Sequence, residues 1–275
     1  MFKFKRLRKV YRIYFPLKNT PNEIFENHLK NNNEIDYFEK ENQFYKIFLK
    51  NGLSLCLRNE YFSDFLVFDQ IFNFKEYEII LGMIRLNNIS NQKNIIIDAG
   101  ANVGYTSLFF NYYLSNSFIC AIEPSFENAK LCYKNFALNN LNDNLHFYQR
   151  ALSHESGMTF NLERDFRDGK DWAITTRNVE DGEIKGITLR EIIEEHKLEY
   201  ISLLKIDIEG AERFIFKDNV DLTFLKITKI IALEIHDEFN IRESIYSILR
   251  EFNFYLFECG ELTIGLNTNY LKCEN

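Results

Sequence analysis

Short apolar segments alternate with amphipathic segments from residue 95 onward, and this alternation predicts an α/β domain. Residues 95–97 are three isoleucines, typical of a strand that is buried on both faces. The predicted strands of the central sheet lie at 95–97, 118–122, 145–148, 203–207, 227–234, 254–258 and 262–266, with helices at about 105–114, 125–139, 188–197 and 242–253. An extra strand is predicted at 158–162, and Ser125 and Thr188 are the predicted N-caps of the second and third helices. The last two strands can pair antiparallel. We therefore predict a mostly parallel, seven-stranded, Rossmann-like sheet with helices on both faces.

The first 90 residues lack this alternation, and we predict that they form an N-terminal extension to a domain spanning residues 91–275. Asn51-Gly52 lies between two alternating stretches, which indicates a β-hairpin with a type I′ turn. The predicted parts of the extension are a basic leader at 1–18, a polar irregular stretch at 22–41, hairpin strands at 44–49 and 53–57, and an aromatic-rich stretch at 61–86 that ends in a helix from residue 77.

A glycine turn follows the first strand of the predicted domain, and a carboxylate follows the second. Asp98 and Gly100 end the first strand, Gly104 opens the helix, and Glu123 stands at the carboxyl end of the next strand. Glycine lets the chain turn sharply and lets a ligand approach the backbone. A carboxylate in this place can accept hydrogen bonds from both hydroxyls of a ribose. This layout predicts a nucleotide-type cofactor site.

Two details favour S-adenosylmethionine over a dinucleotide. The dinucleotide motif has a glycine in the middle of the turn, where this chain has Asn102, and a side chain there crowds the pyrophosphate. Asp98 adds a negative charge close to where phosphates would lie, which suits a cationic sulfonium and an amino group instead. S-adenosylmethionine is therefore the predicted cofactor, and an NAD-dependent oxidoreductase is the less favoured alternative.

Five motifs, in order along residues 98–236, resemble those of the FkbM family of S-adenosylmethionine-dependent methyltransferases. They are Asp98-Ala-Gly-Ala-Asn-Val-Gly-Tyr-Thr-Ser107, Glu123-Pro124, Ala151-Leu-Ser153 followed by Gly157, Lys205-Ile-Asp-Ile-Glu-Gly-Ala-Glu212, and Glu234-Ile-His236. The resemblance implies a class I methyltransferase fold that the N-terminal extension helps to cover. It also implies that the cofactor is bound by Asp98, Gly100, Ala101, Asn102, Gly104, Tyr105, Ser107, Glu123, Pro124 and Ala151. In this scheme Ala151 contacts adenine, while Asn102 and Tyr105 line the methionine end.

Charged residues gather at the carboxyl ends of the later strands, where ligands of open α/β sheets bind. The candidate catalytic residues are Asp207, Glu209, Glu234 and His236. His236 is the natural general base for methyl transfer to a hydroxyl, because its reference pKa lies near working pH, and Glu234 can orient the imidazole. Asp207 and Glu209 could instead hold sugar hydroxyls or act as the base. An alternative assembles the four residues around Mg²⁺, although metal-free base catalysis is favoured.

The distribution of charge argues against a nucleic-acid substrate. Residues 1–18 carry seven Lys or Arg and no acidic residue, so the rest of the chain has 26 basic against 40 acidic side chains. Nucleic-acid binding needs a basic surface, which this acidic body lacks. The leader mixes basic with aromatic and aliphatic residues and could make peripheral contact with an anionic membrane. The alternative function is therefore a non-catalytic membrane-surface or interaction module that retains the cofactor fold.

Five scattered cysteines show no CxxC spacing, which disfavours a zinc site or a disulfide framework. No apolar run approaches the roughly 20 residues that cross a bilayer, and residues 1–18 lack a secretory signal, so a cytoplasmic location is predicted. The expected methyl acceptor is a hydroxyl of a sugar, a glycan or a related small molecule. The extension and the long polar segment 163–186, which contains Trp172, are expected to select it.

Overall fold

The computed structural model describes residues 19–87, 92–114, 116–141, 144–163, 175–217 and 219–271. The strands in this part of the chain are β1 (Ile35–Glu41), β2 (Phe44–Leu49), β3 (Ser54–Arg58), β4 (Asn94–Ala99), β5 (Ser117–Ile122), β6 (Leu145–Tyr148), β7 (Ala151–Leu152), β8 (Thr159–Glu163), β9 (Thr175–Asn178), β10 (Ile184–Ile187), β11 (Ile201–Ile206), β12 (Thr228–Glu234), β13 (Phe254–Cys259) and β14 (Leu262–Asn267). The α-helices are α1 (Pro21–Lys30), α2 (Asp64–Phe68), α3 (Glu78–Asn87), α4 (Tyr105–Tyr113), α5 (Phe126–Leu138), α6 (Leu189–His196), α7 (Glu212–Ile215), α8 (Phe224–Ile227) and α9 (Arg242–Glu251). A π-helical turn, Asp69–Asn73, continues α2.

Seven strands form the central sheet in the order β13-β14-β12-β11-β4-β5-β6. Five neighbouring strands of this order run parallel to one another, namely β12, β11, β4, β5 and β6. Strand β14 pairs antiparallel with both β12 and β13. The register places Lys205 opposite Asp98, and Ala99 opposite Ile122, so the strand ends that carry the sequence motifs meet at one edge. The predicted α/β fold is confirmed, including the antiparallel pair that ends the sheet.

Helices cover both faces of the central sheet. On one face α3, α4, α5 and the N-terminal extension pack against side chains such as Ile96 and Leu203. On the other face α6 to α9 pack against Ile97 and Leu204. Neighbouring residues of one strand thus supply opposite cores, because side chains alternate along a strand. Residues 95–97 are buried, as their isoleucines predict.

The N-terminal extension contains α1 and a three-stranded antiparallel sheet in the order β1-β2-β3. The predicted hairpin is confirmed as β2 and β3. The predicted type I′ turn is wrong, because Gly52 has a positive φ but Asn51 does not. The sequence predicts no strand where β1 lies. Only Ile35 of that strand is fully buried, so the apolar alternation that marks a strand is missing.

Asparagine side chains of α5 join the extension to the central domain. Asn135 Oδ1 accepts a hydrogen bond from the backbone N–H of Cys56 at 2.6 Å, and the Asn139 amide bonds both backbone groups of Ser54. The Tyr105 hydroxyl donates to the Cys56 carbonyl at 2.9 Å. These bonds pair backbone N–H and C=O groups on the outer edge of β3. One hydrophobic core also continues from the extension to the central sheet. The predicted boundary near residue 90 therefore marks a change of topology without a break in packing.

Strands β7 to β10 form a separate four-stranded sheet in the order β7-β10-β8-β9. The extra strand predicted at 158–162 is confirmed as β8. The sequence predicts a long polar loop at 163–186, but β9 and β10 occupy residues 175–178 and 184–187 of this segment. Both strands are short, and β9 is entirely polar, so hydrophobic periodicity gives no signal there. Trp172 lies outside the described residues.

The basic leader at residues 1–18 also lies outside the described residues. Its membrane contact therefore stays a prediction. Across the ranges that the structure describes, no helix combines the length and the apolar character needed to cross a bilayer.

Candidate active site

A cavity of about 410 Å³ opens at the carboxyl ends of β4, β5, β11 and β12. This is the edge at which open α/β sheets bind ligands. The predicted site residues that line it are Gly100, Ala101, Asn102, Tyr105, Glu123, Pro124, Ala151, Asp207, Glu209 and Glu234. The predicted site residues that lie behind its wall are Asp98, Gly104, Ser107 and His236. Most of the site predicted from separate motifs is therefore brought together.

Gly100 and Gly104 shape the turn between β4 and α4, with φ angles of 82° and 87°. A Cβ atom on Gly100 would overlap the carbonyl oxygen of Asp207, which packs against the turn. A Cβ atom on Gly104 would lie 2.8 Å from the sulfur of Cys132, so this glycine allows α4 to begin against α5. Only glycine combines these backbone angles with such close contacts. The turn thereby leaves backbone atoms facing the cavity.

Glu123 follows β5 and is 6% exposed. Its Oε2 accepts a hydrogen bond from the backbone N–H of Asn102 at 2.9 Å, and its Oε1 accepts one from the backbone N–H of Ser125 at 2.8 Å. Burial raises the pKa of Glu123 to about 7, although these two hydrogen bonds lower it. The two N–H donors hold the carboxylate at the cavity edge, where it can meet the hydroxyls of a ribose.

Asp98 does not face the cavity, because Lys205 and Ser107 occupy its carboxylate. Ser107 Oγ donates to Asp98 at 2.7 Å, and Lys205 Nζ lies 3.3 Å from its other oxygen. Lys205 also donates to the carbonyl of Gly100 at 2.7 Å and lies 3.4 Å from Asp207. Burial lowers the pKa of Lys205, but the charges of Asp98 and Asp207 outweigh it and raise that pKa well above its ordinary value. Asp98 is therefore neutralised, and the sequence argument that its charge repels phosphate loses its physical basis.

His236 is fully buried between carboxylates. Its Nε2 lies 3.2 Å from Glu209 and 3.8 Å from Glu234, and its Nδ1 lies 3.3 Å from Glu212. Burial lowers the pKa of His236, but the bonds and charges of Glu209 and Glu212 raise it to about 10. An imidazolium has no lone pair with which to accept a proton. The general-base role predicted for His236 does not fit this geometry, and its charge instead holds the acidic side chains together.

Glu234 and Asp207 reach the cavity that His236 does not. Their side chains are 26% and 29% exposed, and both line the wall. Burial, together with the charge of Asp207, raises the pKa of Glu234 to about 8. Asp207 is paired with Lys205, and Glu209 with His236. Glu234 thus combines access to the cavity with a pKa near working pH.

A divalent metal fits this cluster poorly. Asp207, Glu209 and His236 have ligand atoms within 4.8 Å of one another. Mg²⁺ prefers oxygen ligands, and both nitrogens of His236 already face carboxylates. The chemistry below therefore includes no step through Mg²⁺.

A model of the methyltransferase FkbM domain matches residues 98–261, which is more than half of the chain. This chain belongs to the FkbM methyltransferase family. Methyltransferase sdnD from Sordaria araneosa is 30% identical over 193 residues, which cover 58% of this chain and 73% of that protein. The match confirms the predicted family and identifies the protein as an S-adenosylmethionine-dependent methyltransferase.

Solved methyltransferase structures are also similar to this FkbM chain. The N-terminal domain of human METTL16 is 13% identical with a TM-score of 0.43, over 70% of this chain and 68% of that one. Precorrin-6y C5,15-methyltransferase from Geobacter metallireducens is 10% identical with a TM-score of 0.41, over 70% of this chain and 89% of that one.

Several lining residues of this FkbM site are absent from the sequence prediction. From the extension they are Val67, Gln70, Ile71, Glu76 and Tyr77, and from the central domain they include Asn128, Thr176 and Glu261. The extension residues lie in no recognisable motif, so only the packing of α2, α3 and the π-helical turn reveals them. Asn128 had a weak signal, since it lies three residues after the predicted N-cap Ser125.

Proposed function

We propose that this enzyme transfers the methyl group of S-adenosylmethionine to a hydroxyl oxygen of a sugar, a glycan or a related small molecule. The observation that carries the proposal is the division of one cavity into two ends. In the sheet order β12-β11-β4-β5, Glu123 follows β5 on one side of the glycine turn, while Asp207, Glu209 and Glu234 follow β11 and β12 on the other side. The first end suits a nucleoside cofactor and the second suits an acceptor that must lose a proton.

Glu234 is the general base in this proposal. The acceptor oxygen attacks the methyl carbon, the carbon–sulfur bond breaks, and the hydroxyl proton passes to the Glu234 carboxylate. S-adenosylhomocysteine then leaves with a neutral sulfur. Carboxyl groups with a pKa near working pH are the most effective bases, and that of Glu234 is raised to about 8. Lys205 keeps Asp207 in place, and His236 does the same for Glu209.

The charge of the cavity favours a neutral or cationic acceptor over a phosphorylated one. The carboxylates that line the cavity are Glu76, Glu123, Asp207, Glu209, Glu234 and Glu261. Among the lining residues that the structure describes, Lys205 is the sole cation, and it is already paired with Asp98 and Asp207. A phosphate would meet this negative wall without a free cationic partner. Hydroxyl groups, in contrast, can donate hydrogen bonds to carboxylates.

A groove continues from the acceptor end and gives room for the rest of an acceptor. Phe74, Ile79 and Cys259 provide apolar surface along it, and Glu76 and Glu261 belong to both the groove and the cavity. One wall comes from the extension and the other from the turn between β13 and β14. We propose that this groove holds the part of the acceptor beyond the reacting hydroxyl, in line with the selective role expected for the extension.

Methyl transfer from radiolabelled S-adenosylmethionine tests the proposal. The acceptor panel contains neutral sugars, amino sugars and sugar phosphates, and products are separated and checked for an alkali-stable methyl ether. We expect label in a neutral or amino sugar and little in the phosphates. Label found only in a methyl ester, a methylamine or a nucleic acid would contradict O-methylation of a sugar, even though the protein would remain a methyltransferase.

A further inference from the structure

Tyr77 places a hydroxyl without a hydrogen-bond partner in the wall of the cavity. This tyrosine stands just before α3 in the N-terminal extension and is 4% exposed. Its hydroxyl makes no hydrogen bond to any residue that the structure describes, and it is not among the unpartnered polar atoms that are sealed from solvent. Because Tyr77 lines the cavity, the hydroxyl opens onto that space. Buried tyrosine hydroxyls usually have a partner, so we expect a ligand in the cavity to supply one.

The ring of Tyr77 is held in place by packing against α4. Phe110 meets it edge-on, with 5.6 Å between the ring centroids, and the ring of Phe109 lies 6.5 Å away. This aromatic packing gives the hydroxyl a defined position without the help of a hydrogen bond. Burial raises the pKa of Tyr77 above its ordinary value, so the phenol keeps its proton at working pH and can donate it to a hydrogen bond.

Tyr77 belongs to the acceptor side of the cavity. The preceding residue, Glu76, lines both the cavity and the groove along which the proposed acceptor extends. The charges of Lys205 and Asp207 act on the phenol, in keeping with the place of these residues in the same cavity wall. Tyr77 also lies outside residues 98–261, the part of the chain that matches the family model. Its hydroxyl is therefore an addition that the extension makes to the matched domain.

A neutral donor on this side complements the charged groups of the cavity. Ionised carboxylates accept hydrogen bonds and cannot donate them. Lys205, the sole cation among the lining residues that the structure describes, already contacts Asp98, Asp207 and the carbonyl of Gly100. The phenol of Tyr77 can donate to the oxygen of a hydroxyl group whose own proton faces a carboxylate.

We propose that Tyr77 donates a hydrogen bond to the oxygen of the acceptor hydroxyl that receives the methyl group. The inference rests on the proposed O-methyltransferase function. A hydroxyl oxygen carries one proton and two lone pairs. The proton passes to Glu234, one lone pair attacks the methyl carbon as the carbon–sulfur bond breaks, and the other lone pair accepts from Tyr77. Tyr77 keeps its own proton throughout, so its role is to orient the attacking oxygen.

Removal of the hydroxyl alone tests the inference in the full chain. The variants are Tyr77→Phe, Glu234→Gln, the double variant, and Tyr45→Phe as the matched control. Tyr45 is a buried tyrosine of the extension whose hydroxyl bonds Asn22, and it does not line the cavity. Thermal unfolding and calorimetric titration with S-adenosylhomocysteine are measured for each protein. Initial rates of methyl transfer use the neutral or amino sugar of the acceptor panel that wild type methylates fastest.

We expect Tyr77→Phe to lower kcat/KM about 5- to 100-fold, because one buried hydrogen bond and its control of orientation are lost. Its Tm and its affinity for S-adenosylhomocysteine should stay at wild-type values, because the lost hydroxyl has no partner in the protein or the cofactor. Tyr45→Phe should show the reverse, with a Tm lower by roughly 2–4 °C and an unchanged kcat/KM. The double variant should lose less than the product of the two single losses, because Tyr77 and Glu234 act on the same oxygen.

Four outcomes would overturn the inference. The first is an unchanged kcat/KM in Tyr77→Phe. The second is a lower Tm in this variant, which would show that the hydroxyl is bonded within the protein, and the third is weaker binding of S-adenosylhomocysteine, which would assign it to the cofactor. The fourth is a double variant whose loss equals the product of the single losses. If wild type binds S-adenosylhomocysteine but methylates no sugar, the proposed function fails and the inference fails with it, a result that wild type alone distinguishes from the other four.

Discussion

The two ends of the cavity fix their functional groups in different ways. At the cofactor end, a single carboxylate, Glu123, is held by backbone N–H groups from the glycine turn and from the segment that starts α5. At the acceptor end, Asp207, Glu209 and Glu234 are held by the charges of Lys205 and His236. Backbone donors give one group a fixed place, whereas balanced charges hold several groups that repel one another.

This difference separates binding from chemistry. A change at the cofactor end should alter affinity and leave the reaction step nearly intact, because the proposed partner of Glu123 is a ribose, which carries no reacting atom. A change at the acceptor end should alter either proton transfer or folding, depending on whether the side chain faces the cavity or the protein interior. The four predictions below test this separation, from the largest expected effect to the smallest.

Replacing the proposed base should give the largest effect. We expect Glu234→Gln to lower kcat by roughly 100- to 10,000-fold, the usual contribution of a general base, with little change in affinity for the uncharged S-adenosylhomocysteine. In wild type, kcat should rise with pH through about 8, because the raised pKa of Glu234 leaves the base protonated below that value. Steady-state kinetics across pH measures both effects, with the exposed Glu243→Gln as control. A variant with wild-type kcat would exclude Glu234 as the base.

Removing the buried cation should mainly reduce stability. His236→Leu leaves Glu209 and Glu212 facing each other without a charge between them, and loss of one partner of a buried ion pair costs roughly 3–5 kcal/mol. The raised pKa makes this contribution complete below the ordinary value of 6.5, and it is lost as pH rises through about 10. Urea unfolding at several pH values measures it, with the exposed His28→Gln as control. An unchanged free energy of unfolding in His236→Leu would show that the charge of His236 does not stabilise the fold.

At the cofactor end, Glu123→Gln should weaken binding of S-adenosylhomocysteine by roughly 10- to 150-fold, as expected for one hydrogen bond to a charged acceptor. Glutamine keeps the size of the side chain, but it loses the charge and one of the acceptor oxygens that hold the turn. Calorimetry measures the affinity, and kcat at saturating cofactor should stay close to wild type. A large loss of kcat with intact affinity would reverse the roles assigned to the two ends.

The smallest expected effect is a pH dependence of cofactor affinity. The pKa of Glu123 is about 7 and that of Glu234 about 8, so both carboxyl groups lose protons as pH rises through this range. Ribose hydroxyls and a sulfonium both prefer the ionised forms, so affinity should rise with pH. S-adenosylhomocysteine has a neutral sulfur and should show a smaller rise than S-adenosylmethionine. Equal pH profiles for the two ligands would show that the acidic end does not sense the sulfonium.

The comparison also explains what the sequence could predict. The hydrogen bonds of Glu123 and the contact of Gly104 with Cys132 join residues within about 30 positions of one another, and their spacing is visible in the sequence. Gly100 and Gly104 have the roles that their positions imply, and the Ser125 and Thr188 N-caps form as predicted. Local backbone geometry made this end of the site predictable.

The acceptor end depends on contacts that no local pattern records. The sequence places His236 at a strand end, but only the fold shows carboxylates on both sides of its ring and no path to the cavity. It likewise presents Asp98 as a free charge, whereas Lys205 neutralises it from a strand 107 residues later. The extension contributes Glu76 and Tyr77 from a segment without a motif. Long-range charge pairing and packing decided these roles.

The most direct test of the central claim is parallel calorimetric titration of the purified protein with S-adenosylmethionine, S-adenosylhomocysteine and NAD. The claim is that the turn at Gly100 and the carboxylate of Glu123 form an S-adenosylmethionine site. Saturable binding of the first two ligands, lost in large part in Glu123→Gln, together with no binding of NAD, is the predicted result. Binding of NAD alone, or binding of S-adenosylhomocysteine that is unaffected in Glu123→Gln, would contradict it.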